Sequence, residues 1–217
     1  MANVLLSYPR AANSWVRYFV EVVTGLPSSQ GTYTDSTSNN PKSDALVHKS
    51  MAKPAVIIKR HRFDFEWDKW DENRDTLLVL VRDYKECIIR NNDALCNQPK
   101  YQKQSAEAYM HVIKTYHDWK GPKLMVFYED LLIEPKRELA RIAKHLELDG
   151  TKAQLFYDDL SQHKTRSIQL YHPGSATQGT AHKLHFHSRR KSQAAQKISV
   201  LVAGYPPYLY DYVKRYK

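Results

Sequence analysis

The sequence predicts an α/β domain of three layers, a central and mostly parallel β-sheet flanked by helices, and three observations predict it. Apolar runs of strand length recur at 3–7, 55–59, 76–81 and 123–127, without the alternation that would leave one face wet. Strands of that kind belong to sheets covered on both sides. Between them lie stretches whose apolar residues repeat at helical spacing. Strand alternating with helix implies crossover connections, and ligands are then expected outside the carboxyl ends of the strands.

In chain order, Asn3 to Ser7 is a strand that runs into Tyr8-Pro9. Trp15, Val16, Phe19, Val20 and Val23 form the apolar face of a helix that Gly25-Leu26-Pro27 stops. The stretch 28–43, rich in Ser, Thr, Asn and Gly, reads as an exposed loop. Ala55 to Lys59 (AVIIK) and Thr76 to Val81 (TLLVLV) are buried-type strands. Ala106, Tyr109, Met110, Ile113 and Tyr116 make a second helical stripe, Lys123 to Phe127 (KLMVF) a fourth strand, and Leu139, Ile142, Ala143 and Leu146 a helix that begins near Pro135. The remainder reads as a basic loop over 162–192 followed by helices near 194–202 and 207–215. No internal repeat appears, and a single domain over 1–217 is expected.

Composition excludes several classes. Of 217 residues 42% are hydrophobic and 12% aromatic, too many for a disordered chain. No apolar run approaches the roughly 18–20 residues of a membrane span, and the apolar stretch at the start is broken by Tyr8, Pro9 and Arg10 rather than shaped as an export signal. Cys87 and Cys96 form no CxxC pair and no Asn-x-Ser/Thr acceptor occurs, so two buried free thiols in a soluble cytoplasmic protein are expected. Lys and Arg number 33 against 23 Asp and Glu, a net charge of +10. Residues 161–217 hold ten of those cations and one acid, Asp211, which points to an anionic partner. No RNA- or DNA-binding signature accompanies them, so a specific nucleic-acid partner is not expected.

The chemistry is concentrated in the first turn. A strand running into Tyr8-Pro9-Arg10-Ala11-Ala12-Asn13-Ser14-Trp15 and then a helix places successive backbone amides, two short polar side chains and one guanidinium at a helix N-terminus, which makes an anion cradle. It is not a Walker A loop, because the first glycine of the chain is Gly25.

This segment resembles the 5′-phosphosulfate loop of the PAPS-dependent sulfotransferases, commonly Tyr-Pro-Lys-Ser-Gly-Thr-Thr-Trp, and three later segments match that family in order. Ile57-Ile58-Lys59-Arg60-His61 resembles its strand ending in Lys-Thr-His. Leu80-Val81-Arg82-Asp83 resembles the strand that opens its 3′-phosphate site. Phe127-Tyr128-Glu129-Asp130-Leu131, followed by Pro135 and a helix, resembles its Tyr-Glu-Asp-Leu segment. The resemblance covers most of the chain and implies a P-loop-like phosphosulfate-binding turn in an enzyme. That enzyme would move the sulfuryl group of PAPS (3′-phosphoadenosine 5′-phosphosulfate) to a hydroxyl or amine of a small-molecule or glycan acceptor, with no metal.

Carried over residue by residue, the resemblance makes His61 the general base, with Lys59 and Arg10 beside the transferring group. Arg10, Ala11, Ala12, Asn13, Ser14 and Trp15 become the 5′ side of the nucleotide site, and Arg82 and Arg90 the 3′-phosphate side. Arg189 and Arg190, in Ser188-Arg189-Arg190-Lys191, are the nearest basic cluster to the family's C-terminal Arg-Lys-Gly element. On a strand Lys59 and His61, two apart, point to one side.

Three departures stand out. Arg10 replaces Lys and keeps the charge in a fork suited to phosphate oxygens. Ala12 replaces Gly, so the turn either accepts a Cβ or carries about 1 kcal/mol of strain. Arg90 stands where Ser is expected, eight residues after Arg82, and is expected to contact the phosphate, the alternative being Asn91 turned inward.

Asp64, Glu66 and Asp68 are the fallback bases. Phe63 to Trp70 is either an acceptor-lining segment or an amphipathic helix. His182, His185 and His187 read as part of a basic loop rather than a metal site. Two other functions fit parts of the chain. A nucleotide or small-molecule kinase is opposed by the missing Walker glycines. A non-catalytic RNA- or polyanion-binding module would need neither His61 nor Arg10 and would weaken steeply with salt.

Overall fold

The computed structural model describes residues 2–26, 28, 55–61, 70–171 and 189–216. Four strands, β1 (Asn3–Ser7), β2 (Ile58–His61), β3 (Thr76–Val81) and β4 (Lys123–Phe127), form one sheet in the order β2-β1-β3-β4. Every neighbouring pair is parallel, so all four carboxyl ends lie on one edge. All six residues of β3 are buried, as a central strand covered on both faces requires.

The helices are α1 (Asn13–Thr24), α2 (Tyr84–Asn91), α3 (Pro99–Asp118), α4 (Tyr128–Ile133), α5 (Pro135–His145), α6 (Gly150–Asp158), α7 (Leu160–Tyr171), α8 (Arg189–Ala203) and α9 (Pro207–Tyr210), and a 3₁₀ turn closes the described chain at Lys214–Tyr216. Helices α1, α5, α6 and α7 pack together, as do α2, α3, α8 and α9. With the sheet they complete the three-layer α/β plan. Among the described residues no helix is long and apolar enough to cross a membrane.

Most of the expected elements stand where their apolar patterns put them. β1, β3 and β4 have the expected bounds, α1 ends at the left-handed Gly25, and α5 starts at Pro135. Cys87 and Cys96 are buried free thiols.

Two expectations are corrected. The second strand runs over Ile58–His61 rather than 55–59, because β1 offers only Val4 to Ser7 for pairing and its register sets Val4 against Ile58 and Ser7 against His61. Upstream of it, the Val56 carbonyl accepts from the Asn3 side chain at 3.1 Å rather than joining the ladder. The basic loop over 162–192 is helical at both ends, in α7 and α8. Cationic composition says nothing against a helix, and no Gly or Pro interrupts 160–171; buried Ser167 and half-buried His163 mark the inward face there. The loop at 28–43 lies outside the described residues except for Ser28.

Candidate active site

The site is built at the carboxyl edge of the sheet, where β1 passes into the turn before α1. Arg10 and Ala12 both take left-handed backbone, φ 73° and 67°, with Ala11 of ordinary φ between them. Alternating backbone of this kind is the sort that can turn successive N–H groups toward a common concavity. Ala12 is the N-cap of α1 and offers no side-chain cap; its carbonyl accepts from Trp15 N at 3.0 Å and Val16 N at 3.4 Å. Among the described residues the N–H groups of Asn13 and Ser14 find no acceptor, and the helix dipole adds partial positive charge there.

Of the two possibilities at Ala12, the strained one holds. Beyond it, Trp15 stacks on Tyr18 at 6.0 Å and meets Phe156 at 5.7 Å, which anchors the first turn of α1 to α6. Arg10 is exposed, while its carbonyl accepts from Arg82 Nη1 at 3.2 Å.

Ser7, fully buried at the end of β1, holds two site residues at once. Its hydroxyl receives the Asn13 amide at 2.6 Å, and its carbonyl lies 3.1 Å from His61 Nδ1. A carbonyl can only accept, so Nδ1 carries the proton and Nε2 presents its lone pair. Burial, the Lys59 charge and, more weakly, Arg17 lower the His61 pKa from 6.5 to about 4, against the opposing effect of the Ser7 hydrogen bond. The imidazole is therefore neutral near pH 7. Asn13 Oδ1 is buried without a partner; because the two ends of an amide are interchangeable in shape, one polar end of Asn13 is unmet either way.

The turn after β3 carries the second cationic group. Arg82 is buried, its Nε donates to Glu86 Oε2 at 3.1 Å and its Nη2 pairs with the same oxygen. Its guanidinium stacks 4.1 Å from the Tyr128 ring, and its carbonyl accepts from Tyr109 at 2.6 Å. Arg90, two turns along α2, faces the same region, and its Nε is buried without a partner. Burial and then the Arg82 charge hold the Arg90 pKa below arginine's usual value, with Glu86 acting the other way. Asn91 is exposed rather than turned inward.

Helix α8 packs on α2 and α3, and the Lys191–Asp93 pair at 3.1 Å sets its start beside the end of α2. Arg189 and Arg190 open that helix. Asp64, Glu66, Asp68, His182, His185 and His187 lie outside the described residues. Among the described residues no group of three His, Cys, Asp or Glu side chains comes together as metal ligands.

Sequence patterning did not single out Ser7, Glu86 or Arg17, and Tyr128 entered only as part of the segment resembling Tyr-Glu-Asp-Leu. The i,i+4 spacing of Arg82 and Glu86 was the one available signal; the others are brought in by the fold.

No family model matches the chain, and no curated protein matches it. Among solved structures, the chain is similar to the sulfotransferase domain of the Synechococcus PCC 7002 olefin synthase, at 17% identity, 91% of this chain, 94% of that chain and a TM-score of 0.46.

Two outcomes follow from this geometry. Ala12→Gly relieves the left-handed backbone and raises stability by up to about 1 kcal/mol in urea unfolding. In a ¹⁵N titration of the ligand-free protein, His61 is the Nδ1–H tautomer and protonates only as the pH falls through about 4, whereas an ordinary histidine does so near 6.5. Since the unfolded chain takes up that proton first, His61 also makes stability decline as the pH falls from 6.5 toward about 4.

Proposed function

We propose that the chain is a PAPS-dependent sulfotransferase. One observation carries this: a neutral histidine whose Nδ1 is engaged, leaving the Nε2 lone pair as its basic site, and an uncapped, amide-rich turn are locked to each other through the single residue Ser7. The ordered motif resemblance supports it, and so does the fit of the side chains to a nucleotide carrying anions at both its 5′ and 3′ positions. The uncapped amides of Asn13 and Ser14, the unmet Asn13 amide end and Arg10 suit the phosphosulfate. Arg82 and the partnerless Nε of Arg90 suit the 3′-phosphate. Arg189 and Arg190, at the start of the helix whose Lys191 pairs with Asp93, are assigned to the nucleotide side by the motif resemblance.

PAPS supplies a sulfuryl group activated on a phosphate leaving group. Each protein group then has a defined task. Nε2 of His61 takes the proton of the acceptor hydroxyl or amine as its oxygen or nitrogen bonds to sulfur. Lys59, Arg10 and the turn amides offset the negative charge that grows on the departing phosphate, and fixed donors of this kind need no reorganisation at that moment. The ligand anion also opposes the cationic field that depresses His61, so the base is stronger in the complex than in the free protein. The acceptor is a small molecule or glycan.

Incubation with ³⁵S-labelled PAPS and a panel of phenols, alcohols, amines and glycans transfers label to at least one acceptor, and ATP gives no phosphoryl transfer; label that stays on the nucleotide throughout rejects the proposal. His61→Ala lowers turnover by about a hundredfold or more and leaves nucleotide affinity within about threefold, since the base does not hold the nucleotide. In calorimetry Arg90→Ala weakens adenosine 3′,5′-bisphosphate by about tenfold or more while adenosine 5′-monophosphate is little changed, because the charge-assisted contact is specific to the 3′-phosphate.

A further inference from the structure

We propose that Tyr216, with Arg215 beside it, is a positioning residue for Arg82, holding the turn after β3 in the orientation that receives a ligand phosphate. The inference rests on the nucleotide assignment above and extends it to a segment that no motif marks. The ends of β3 and β4 are neighbours, with Val81 paired to Phe127, so Arg82-Asp83 and Tyr128-Glu129-Asp130 leave the sheet side by side. Glu129 links the two exits and the 3₁₀ turn at Lys214–Tyr216. Its Oε1 accepts the Asp83 N–H at 3.3 Å, and its Oε2 accepts the Tyr216 hydroxyl at 2.5 Å. The Tyr216 carbonyl in turn accepts from Lys85 Nζ on α2.

Next to it, Arg215 grips Asp130 with both ends of its fork, at 2.7 and 3.0 Å, and lies 4.4 Å from the Phe127 ring. Bidentate pairs of this kind fix orientation as well as distance. Asp83 immediately follows Arg82 and caps α2 by accepting from Lys85 N at 2.9 Å, so the link through Glu129 restrains both the Arg82 backbone and the helix that carries Arg90. Tyr128, on which the Arg82 guanidinium stacks, belongs to the same clamped α4 turn.

The ring and the hydroxyl of Tyr216 have separable tasks. The ring is buried against Tyr84 and Phe127, work that a phenylalanine would do equally well. Burial and the Glu129 carboxylate push the phenol pKa far above its usual value, so the hydroxyl stays protonated as a donor. Without it Glu129 loses its shortest hydrogen bond and the Asp83 N–H loses a fixed acceptor, which frees the Arg82 turn.

Tyr216→Phe is therefore the test, in the full chain. Titration calorimetry is expected to show adenosine 3′,5′-bisphosphate binding weakened by about five- to tenfold and adenosine 5′-monophosphate changed by less than about twofold. In ¹H–¹⁵N spectra of arginine Nε–H groups the Arg82 signal shifts and exchanges faster with water. Glu129→Gln, which keeps the linking side chain's shape and removes its charge, gives the same selective loss. Equal weakening of both nucleotides overturns the proposal, as does unchanged binding of the bisphosphate. Wild-type protein that fails to bind the bisphosphate sinks the nucleotide assignment alone. The Arg82 signal then decides: unmoved in Tyr216→Phe, it overturns the positioning role, and shifted, it sustains it.

Discussion

Ser7 is the residue on which the candidate site depends. It ends a five-residue strand that pairs in parallel on both sides, with His61 of β2 across one ladder and Leu80 of β3 across the other. With neighbours fixed on both sides, its carbonyl and hydroxyl have no freedom to drift, and His61 and the turn before α1 inherit that rigidity. A site carried on strand ends holds its geometry more tightly than one carried on loops. The carbonyl also selects the histidine tautomer, since a backbone oxygen has no proton to give.

Electrostatics around that frame serve two states. In the ligand-free protein, burial, Lys59 and Arg17 keep His61 neutral. Arg17 is itself tied to Ser28 at 2.6 Å and to Glu21, so its charge is compensated locally, whereas the Arg82 and Arg90 guanidiniums share a region where Glu86 partners Arg82 and the Arg90 Nε goes without. The cations near His61 thus tune its proton, and those beyond β3 are the ones the proposal assigns to an anion. A buried donor without an acceptor costs about 1–3 kcal/mol, a cost that a phosphate oxygen at Arg90 would remove. Such a polar defect is informative in a way that a satisfied surface arginine is not.

Legibility followed burial and sequence distance. β1, β3 and β4 were readable because each is an uninterrupted apolar run, and AVIIK misplaced β2 because the run continues upstream of the residues that β1 can pair. The cradle at 10–15, His61 and Arg82 were legible as short local motifs. The links made by Tyr216 and Tyr109 were not, since each reaches its partner from a distant point in the chain, 87 residues apart in the case of Tyr216 and Glu129, and Glu129 was legible only as a letter of its motif. Helix α7 was hidden for another reason: its histidine, lysine and arginine resembled a solvated basic loop, although the chain there contains nothing that breaks a helix.

Ala12 shows why a locally unfavourable residue suits this turn. Glycine would relax the backbone, and serine or aspartate at the N-cap would satisfy the helix amides with its own oxygen. Alanine does neither. It holds φ at 67° at a conformational cost and leaves the Asn13 and Ser14 amides unclaimed by the protein. Because Trp15 is pinned against Tyr18 and Phe156, and the Arg10 carbonyl is pinned by Arg82, the turn cannot relieve the strain by unwinding. The donors are thereby kept in place before any ligand arrives, which is the form of preorganisation that a developing anion rewards.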